Sequence, residues 1–505
     1  MDVESRETCL PGTRVDILQE VFASLVDPNP SHKAIWLRGL AGSGKGTILN
    51  TIAQYSSNVR RCGAFLFWDR TDPINGDPRR VIRTLAYQLA QFNPAFAHEL
   101  ASRIKPSPQI MKSSLDDQFR SLLQGPLSTI AASHDSGPII IILDALDECG
   151  IPETRKKLLE VLSNQLVKLP RMFRLLIASQ DEPDIRVALS RTGVVMCDAR
   201  IDDKSTLSDI SQFFQQRLSS DAPAFEAREL PYDWPGDPVR RRLVTLSGGL
   251  FIWASTTIRF IESGFPEQRL QKVLNSSALR QSHDKLDDLY RLALTHPFDS
   301  YHADELEAVH SILGAIVVAR EQLSDHQLSG LLDLKLGMVQ EVLSRLQPLL
   351  QGGHGKPIQV LHTSFTDFLC DPEPCQCVLW RIRPPAHHCN LAVGCLRIMR
   401  QDLRFNICGI ETSCRQHLEI EGIQERINKI ITPLLLMYAS QYWADHLELG
   451  SPAELSPHRL TDEVTDFMTQ RFLFWVEVFS LKNQMSTIPA ILQKATGWAK
   501  VGAFV

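Results

Sequence analysis

The chain has 505 residues, more than one hydrophobic core accommodates, so three or four domains are expected. Apolar content of 44% and charged content of 22% are those of a globular protein, and a net charge of -5 carries no polyanion-binding signature, so no nucleic-acid partner is expected. The longest uncharged apolar run, Ser311 to Ala319, is too short for a membrane span, the acidic start is no signal peptide, and eleven scattered cysteines suit reduced thiols in the cytoplasm.

Residues 1–34 hold Cys9-Leu10-Pro11-Gly12-Thr13-Arg14 and then a helical pattern from Val15 to Phe22. A turn and helix in this place serve either as the lip of a purine site or as a plain lead-in. The run Ile35-Trp36-Leu37 reads as a buried strand. Gly39, Gly42, Ser43 and Gly44 follow, then Lys45 and an apolar-periodic helix. Strand, glycine-rich turn and helix in that order make a phosphate-binding loop: converging backbone N–H groups and the helix N-terminus face phosphate oxygens, and Lys45 reaches the outer ones. The pattern departs from its usual form at one position. The hydroxyl that normally follows the lysine to hold Mg²⁺ is absent at Gly46 and comes one residue later, at Thr47. Neighbouring helical side chains diverge by about 100°, so Thr47 is no simple stand-in, and Mg²⁺ would be held through water or by other residues. Gly-Lys-Gly-Thr is also how adenylate kinases write this loop.

Ala64 to Trp68 reads as a second strand, Arg79 to Phe92 as an amphipathic helix, and Leu115 to Leu127 as another helix. Pro138 to Leu143 is continuously apolar, the pattern of a strand buried on both faces in a parallel sheet. Asp144 then stands at the strand's carboxyl end, where ligands of open α/β sheets gather. It can hold Mg²⁺ directly or through water, and Asp147 and Glu148 can polarise an attacking water. Such an acidic cluster is by itself often a helix cap; about 100 residues after a phosphate loop it reads as that loop's partner. A third apolar strand, Phe173 to Ala178, ends in Ser179-Gln180-Asp181-Glu182-Pro183-Asp184, with Gln180 placed to face a terminal phosphate. The fold class is therefore α/β: a three-layer domain with a mostly parallel sheet over residues 35–200.

Residues 201–300 read as a helical domain. Residues 301–375 carry three helices, a Gly-rich hairpin at Gln351 to Gly355 and a strand at Pro357 to His362, the order of a winged helix. Its Met338 to Leu343 helix is apolar and acidic, which favours an interdomain role over DNA. Cys375, Cys377, His387, His388 and Cys389 invite a zinc reading, but the C-x-C spacing is tight and no second pair completes it, so a Pro-rich connecting loop is expected. Residues 376–505 read as all-helical, without an internal period and hence without a repeat array.

Three strings carry a family resemblance: Gly39 to Lys45, Asp144-Ala145-Leu146-Asp147-Glu148-Cys149, and Ser179 to Arg186. Together they resemble the NACHT module, a P-loop ATPase of the signal-transducing STAND class, in the form found in fungal NOD-like receptors. Gly248 to Ala254, Leu361 to Leu369, Tyr442 to Leu447 and Phe472 to Glu477 extend it over nearly the whole chain. The resemblance implies that Lys45 contacts the β- and γ-phosphates, Asp144 serves Mg²⁺, and Glu148 or Asp147 positions water. It also implies that His362 reaches the β-phosphate of a bound diphosphate, although a lone histidine beside an apolar strand also reads as a satisfied core residue. Gln180 stands where the family commonly has an arginine that senses the γ-phosphate. With Gly46 it points to a slow or inactive hydrolase that still binds ATP or ADP.

The leading expectation is a nucleotide-gated signalling switch of NOD-like receptor type, in innate immunity or self/non-self recognition. It would form a homo-oligomer on activation or work with a partner protein carrying effector and sensor parts, since no effector domain fits before residue 10. The alternatives are a degenerate scaffold that binds no nucleotide and a nucleotide phosphotransferase.

Overall fold

The computed structural model describes residues 6–27, 34–69, 76–131, 137–165, 168–170, 172–190, 194–198, 204–219, 222, 225, 230–276, 285–371, 378–411, 416, 419–431, 435–451 and 457–502. The chain divides into two compact units, Met1–Leu289 and Tyr290–Val505.

The first unit is built on five parallel strands: β1 (Ala34–Arg38), β2 (Cys62–Phe67), β3 (Ile139–Asp144), β4 (Phe173–Ser179) and β5 (Val195–Asp198), in the order β2-β3-β4-β1-β5. β4 lies between the strand that feeds the phosphate loop and the strand that ends in Asp144, with Leu176 level with both Ile35 and Ile142. Alternate residues of β3 feed two cores. Ile139, Ile141 and Leu143 join one face, and Ile140 and Ile142 the other. Burial on both faces explains why β3 shows no polar alternation, and each such side chain contributes roughly 1.5–3 kcal/mol.

Helices α1 (Val15–Val26) and α2 (Lys45–Asn58) cover one face. The other face carries α3 (Val81–Phe92), α4 (Pro94–Ile104), α5 (Leu115–Gln118), α6 (Gly125–Ala131), α7 (Pro152–Gln165) and α8 (Pro183–Ser190). The expected helix over Leu115 to Leu127 is interrupted by a π-helical turn, Phe119–Gln124, which keeps Phe119, Leu122 and Leu123 in the core. The helix expected from Arg79 begins at Val81, because Asp77 caps a short 3₁₀ turn at Pro78–Arg80. Among the described residues, four helices continue the unit towards its boundary: α9 (Lys204–Arg217), α10 (Asp237–Ser247), α11 (Phe251–Glu262) and α12 (Pro266–Ser276). α13 (Lys285–Thr295) crosses that boundary.

The second unit opens with α14 (Ala303–Val318), α15 (Asp325–Leu332) and α16 (Leu336–Arg345), then the antiparallel hairpin β6 (Leu350–Gly353) and β7 (Lys356–Val360), then α17 (Thr363–Cys370). This is a winged helix. The strand expected as far as His362 ends at Val360, and His362 instead caps α17, its Nδ1 accepting from Ser364 N at 3.2 Å. Buried Asp325 ties the wing down, accepting from Gln340 Nε2 and from Gly355 N, each at 2.8 Å. An all-helical region follows: α18 (Pro384–Asp402), α19 (Ile423–Ile430), α20 (Leu435–Leu449), α21 (Pro457–Asp466), α22 (Phe472–Leu481) and α23 (Ile488–Gly502). Its centre is aromatic. Trp443, Phe467, Trp475 and Phe479 pack together, and the Trp475 indole donates to Ser440 O at 3.0 Å.

Cys375 and Cys377 lie outside the described residues. The remaining members of the zinc reading make other contacts. His387 packs against His310 with ring centroids 5.0 Å apart, His388 shares a hydrogen bond with His446, and the Cys389 thiol donates to Ser451 O. Among the described residues no cluster of three or more His, Cys, Asp or Glu could hold a metal, and no helix is long and apolar enough to cross a membrane.

Candidate nucleotide site

The phosphate loop is set by two glycines with positive φ, Gly42 at 73° and Gly44 at 91°, a region in which a side chain costs about 1–2 kcal/mol. Gly44 caps α2, whose exposed backbone N–H groups and macrodipole favour an anion at that end. Ser43 is fully buried within the loop, and its hydroxyl finds no hydrogen-bond partner among the described residues. The Lys45 ammonium folds back onto the loop, donating to Gly39 O at 2.7 Å and Leu40 O at 2.9 Å. An ammonium has three donors, so one is left for a phosphate oxygen. Burial lowers the lysine's pKa, while the charges of Asp147, Asp144 and Glu148 oppose that shift.

A Cβ built on Gly46, the residue after Lys45, would lie 3.4 Å from Asp144 Oδ2, so the loop and the acidic strand tip meet at the carboxyl ends of parallel strands where such folds take their ligands. Asp144 is buried at the end of β3, and burial pushes its pKa up against the pull of Arg6 and Lys45. Ala145 turns the chain with a φ of 58°, unusual for a residue with a side chain, and a 3₁₀ turn at Leu146–Glu148 follows. Asp147 accepts two bonds from one residue, from Gln180 N at 3.0 Å and from Gln180 Nε2 at 3.1 Å. Gln180 therefore faces the carboxylate that was expected to polarise water. Arg155 locks the two loops together: it is buried, forks onto Asp184 at 3.0 and 3.1 Å, and donates to Asp147 O. Trp36 of β1 donates to Ser179 Oγ at 2.8 Å.

Asp144 and Thr47, expected to share Mg²⁺, make different bonds here. Gly46 is the residue that faces Asp144: a Cβ built on it would lie 3.4 Å from Asp144 Oδ2. The Thr47 hydroxyl instead donates to Gly44 O at 2.8 Å. The same Asp144 oxygen is ion-paired with Arg6 Nη1 at 3.1 Å. A carboxylate already paired with a guanidinium, beside a residue with no hydroxyl, does not fit the donor set of a directly bound Mg²⁺.

Three contributors do not read as site residues from the sequence, although Arg14 and Ile252 lie in strings it singles out. Arg6 reaches Asp144 from 138 residues away. Arg14 donates to Ser43 O at 2.5 Å and to Thr206 Oγ1 at 2.8 Å, with its guanidinium 4.6 Å from the centre of the Phe251 ring. Ile252, at the start of α11, donates its backbone N–H to Gly42 O at 3.1 Å, and its Cγ2 occupies the place of a Cβ on Gly42, 2.1 Å away. The helix that begins within the string Gly248 to Ala254 thus rests on the phosphate loop. His362 belongs to the second unit, where its ring also shares a 2.7 Å bond with the Ser364 hydroxyl.

Loop, acidic strand tip and strand order define the first unit as a P-loop NTPase fold. Residues 12–180 match a family model described as Nephrocystin 3, N-terminal. No curated protein matches the chain. Among solved structures, the chain is similar to the Aeropyrum pernix ORC1 protein in complex with DNA, at 14% identity and a TM-score of 0.34, over 70% of this chain and 91% of that one. It is also similar to Drosophila ORC bound to GC-rich DNA and Cdc6, at 10% identity and a TM-score of 0.30, over 95% of this chain and 69% of that one.

Proposed function

We propose that this protein is a nucleotide-operated switch that takes the phosphates of ATP or ADP in the loop from Gly39 to Thr47 and hydrolyses ATP slowly or not at all. The observation that carries the proposal is the seating of Ile252 on Gly42. The first turn of α11 is bonded to the backbone that must wrap a phosphate, so loading the loop changes the ground on which a downstream helix stands. Slow turnover follows from the occupation of Asp147 by both donors of Gln180, a neutral amide where the resembled family has an arginine. A ligand shifts such an equilibrium only by its differential affinity for the two arrangements. By the same resemblance, the switched form would assemble with further copies of the chain, or with a partner bearing sensor or effector parts, in recognition of non-self.

The test combines thermal melting with amide hydrogen exchange, with ADP, with a non-hydrolysable ATP analogue and without nucleotide, beside Lys45→Ala. A specific nucleotide at about 100 times its Kd adds about 2.7 kcal/mol to stability. We expect a stabilising shift that Lys45→Ala removes, and exchange at residues 251–262 that differs between ADP and the analogue. Stabilisation without any change at those residues would mean binding without switching. No stabilisation by any nucleotide would leave a scaffold, and rapid turnover of ATP with AMP would mark a phosphotransferase.

A further inference from the structure

We infer that Arg6 is a built-in counter-cation for the nucleotide site, and that this loop therefore binds nucleoside phosphates without a divalent metal. The inference rests on the nucleotide-binding reading above and adds how the charge at Asp144 is met. A carboxylate this deeply buried needs a positive partner, and in a P-loop site the usual partner is the metal. Here the partner is covalently part of the chain: Arg6 Nη1 lies 3.1 Å from Asp144 Oδ2, the oxygen that faces Gly46.

The guanidinium is held by more than its charge. It lies over the Phe67 ring, 3.6 Å from the centroid, at the end of the strand beside β3. Its backbone is strapped to the phosphate-loop helix. Asn50 Nδ2 donates to Arg6 O at 2.8 Å and to Glu7 O at 3.2 Å, Cys9 N donates to Thr51 Oγ1 at 2.8 Å, and Arg259 of α11 bonds Glu7 at 2.7 Å. Asn50 and Thr51 are buried polar residues in the middle of α2. The strap is their partner, and it explains why that helix is polar on a covered side. A flexible arginine at a surface carboxylate is ordinary; one stacked and strapped at three points, beside a glycine that replaces a metal-binding hydroxyl, is a substitution of one cation for another. Arg6 and Lys45 both act on Asp144, and the Asp144 oxygen that Arg6 holds is the one facing Gly46, next to Lys45 in the loop.

The experiment is an ADP titration of the full chain by calorimetry, in Mg²⁺ and in excess chelator, for the native protein, Arg6→Gln and Arg6→Lys. The native protein should bind ADP with affinities equal within about threefold in the two buffers. Arg6→Gln should lose about tenfold or more in chelator and recover much of that loss with Mg²⁺, while Arg6→Lys, which keeps the charge, should stay closer to the native protein in chelator. A structural role alone would lower the melting temperature without nucleotide and leave the two buffers equivalent for every variant, which would overturn the inference. Native binding that collapses in chelator and is indifferent to Arg6 would overturn it as well, with nucleotide binding left standing. Absence of ADP binding in both buffers would remove the nucleotide reading itself and this inference with it.

Discussion

Gly42→Ala is the sharpest probe of the contact between α11 and the phosphate loop. Two costs add at this position. An alanine must adopt a φ of 73°, at about 1–2 kcal/mol. Its Cβ would also fall 2.1 Å from Ile252 Cγ2 and 2.8 Å from Ile252 Cβ, so either the loop or the helix must move, an overpacking cost of about 1–3 kcal/mol. The expected destabilisation is about 2–5 kcal/mol, read by urea unfolding of the first transition. Ile252→Ala removes the Cγ2 but leaves the φ cost. In the double variant the clash therefore falls and the backbone term stays, and the cycle should show a favourable coupling of about 1–2 kcal/mol. ADP binding should weaken in Gly42→Ala and recover in part in the double variant. Strictly additive effects, with a coupling under about 0.5 kcal/mol, would refute the seating of α11 on the loop and with it the route from phosphate to helix.

Three further outcomes are expected. The second unit should be acid-labile. His387 and His388 are buried, and burial lowers both to a pKa of about 4, helped for His387 by His310 and His388 and for His388 by Arg320, with Asp445 opposing. Because each folded pKa lies below the unfolded value of about 6.5, stability is constant above that pH and is lost as pH falls from there towards 4, at about 3 kcal/mol for either residue alone. His388→Gln should flatten that slope, and a variant melting curve with unchanged pH dependence would contradict the assignment. Arg155→Ala should cost about 3–5 kcal/mol, since it strands Asp184 and Asp147 O in a partly buried joint; a loss below about 1 kcal/mol would show that the two loops hold without it. Ala145→Gly should stabilise by up to about 1 kcal/mol by relieving its φ of 58°, provided the extra freedom of the unfolded chain does not cancel the gain. A destabilised Ala145→Gly protein would mean that the side chain's packing outweighs its strain.

The elements nearest the chemistry were the most legible in the sequence, because they depend on short-range rules. The phosphate loop follows from three glycines and a lysine after a strand, and β3 from an unbroken apolar run. Even the displaced hydroxyl behaved as helix geometry requires, with Thr47 turned to Gly44 O and Gly46 facing Asp144. Legibility failed where partners are distant or where burial is polar. α7 buries Arg155 and Gln165 among its leucines, so its apolar pattern is broken by residues that read as surface. The same holds for α2, whose Asn50 and Thr51 look solvated until the strap from Arg6 to Cys9 is placed on them. Arg6 itself could not be read, since no local pattern marks a residue whose partner lies 138 positions away. Ile252 lay inside a string that carried the family resemblance, but only the three-dimensional contact shows what that string touches.

The bonding of the site favours a switch over a fast catalyst. Catalytic groups work best when free to meet the reacting atoms, and here each is engaged within the protein. Asp147 is held by Gln180, Thr47 by Gly44, Asp144 by Arg6, and Lys45 by two loop carbonyls. An incoming phosphate must compete with such bonds, each worth about 0.5–1.5 kcal/mol net and more where charge is involved. Lys45 has one donor left for a phosphate oxygen, and any movement of the ammonium beyond that contact would strain its bonds to Gly39 O and Leu40 O, within the same loop that carries Ile252 on Gly42. On the proposed reading, binding energy would go into rearranging the loop rather than into the transition state of hydrolysis, which is what a device that reports occupancy requires. A turnover enzyme gains nothing from that diversion. On that reading, the bonds that would slow the chemistry are also those that would let the loop tell α11 whether it is filled.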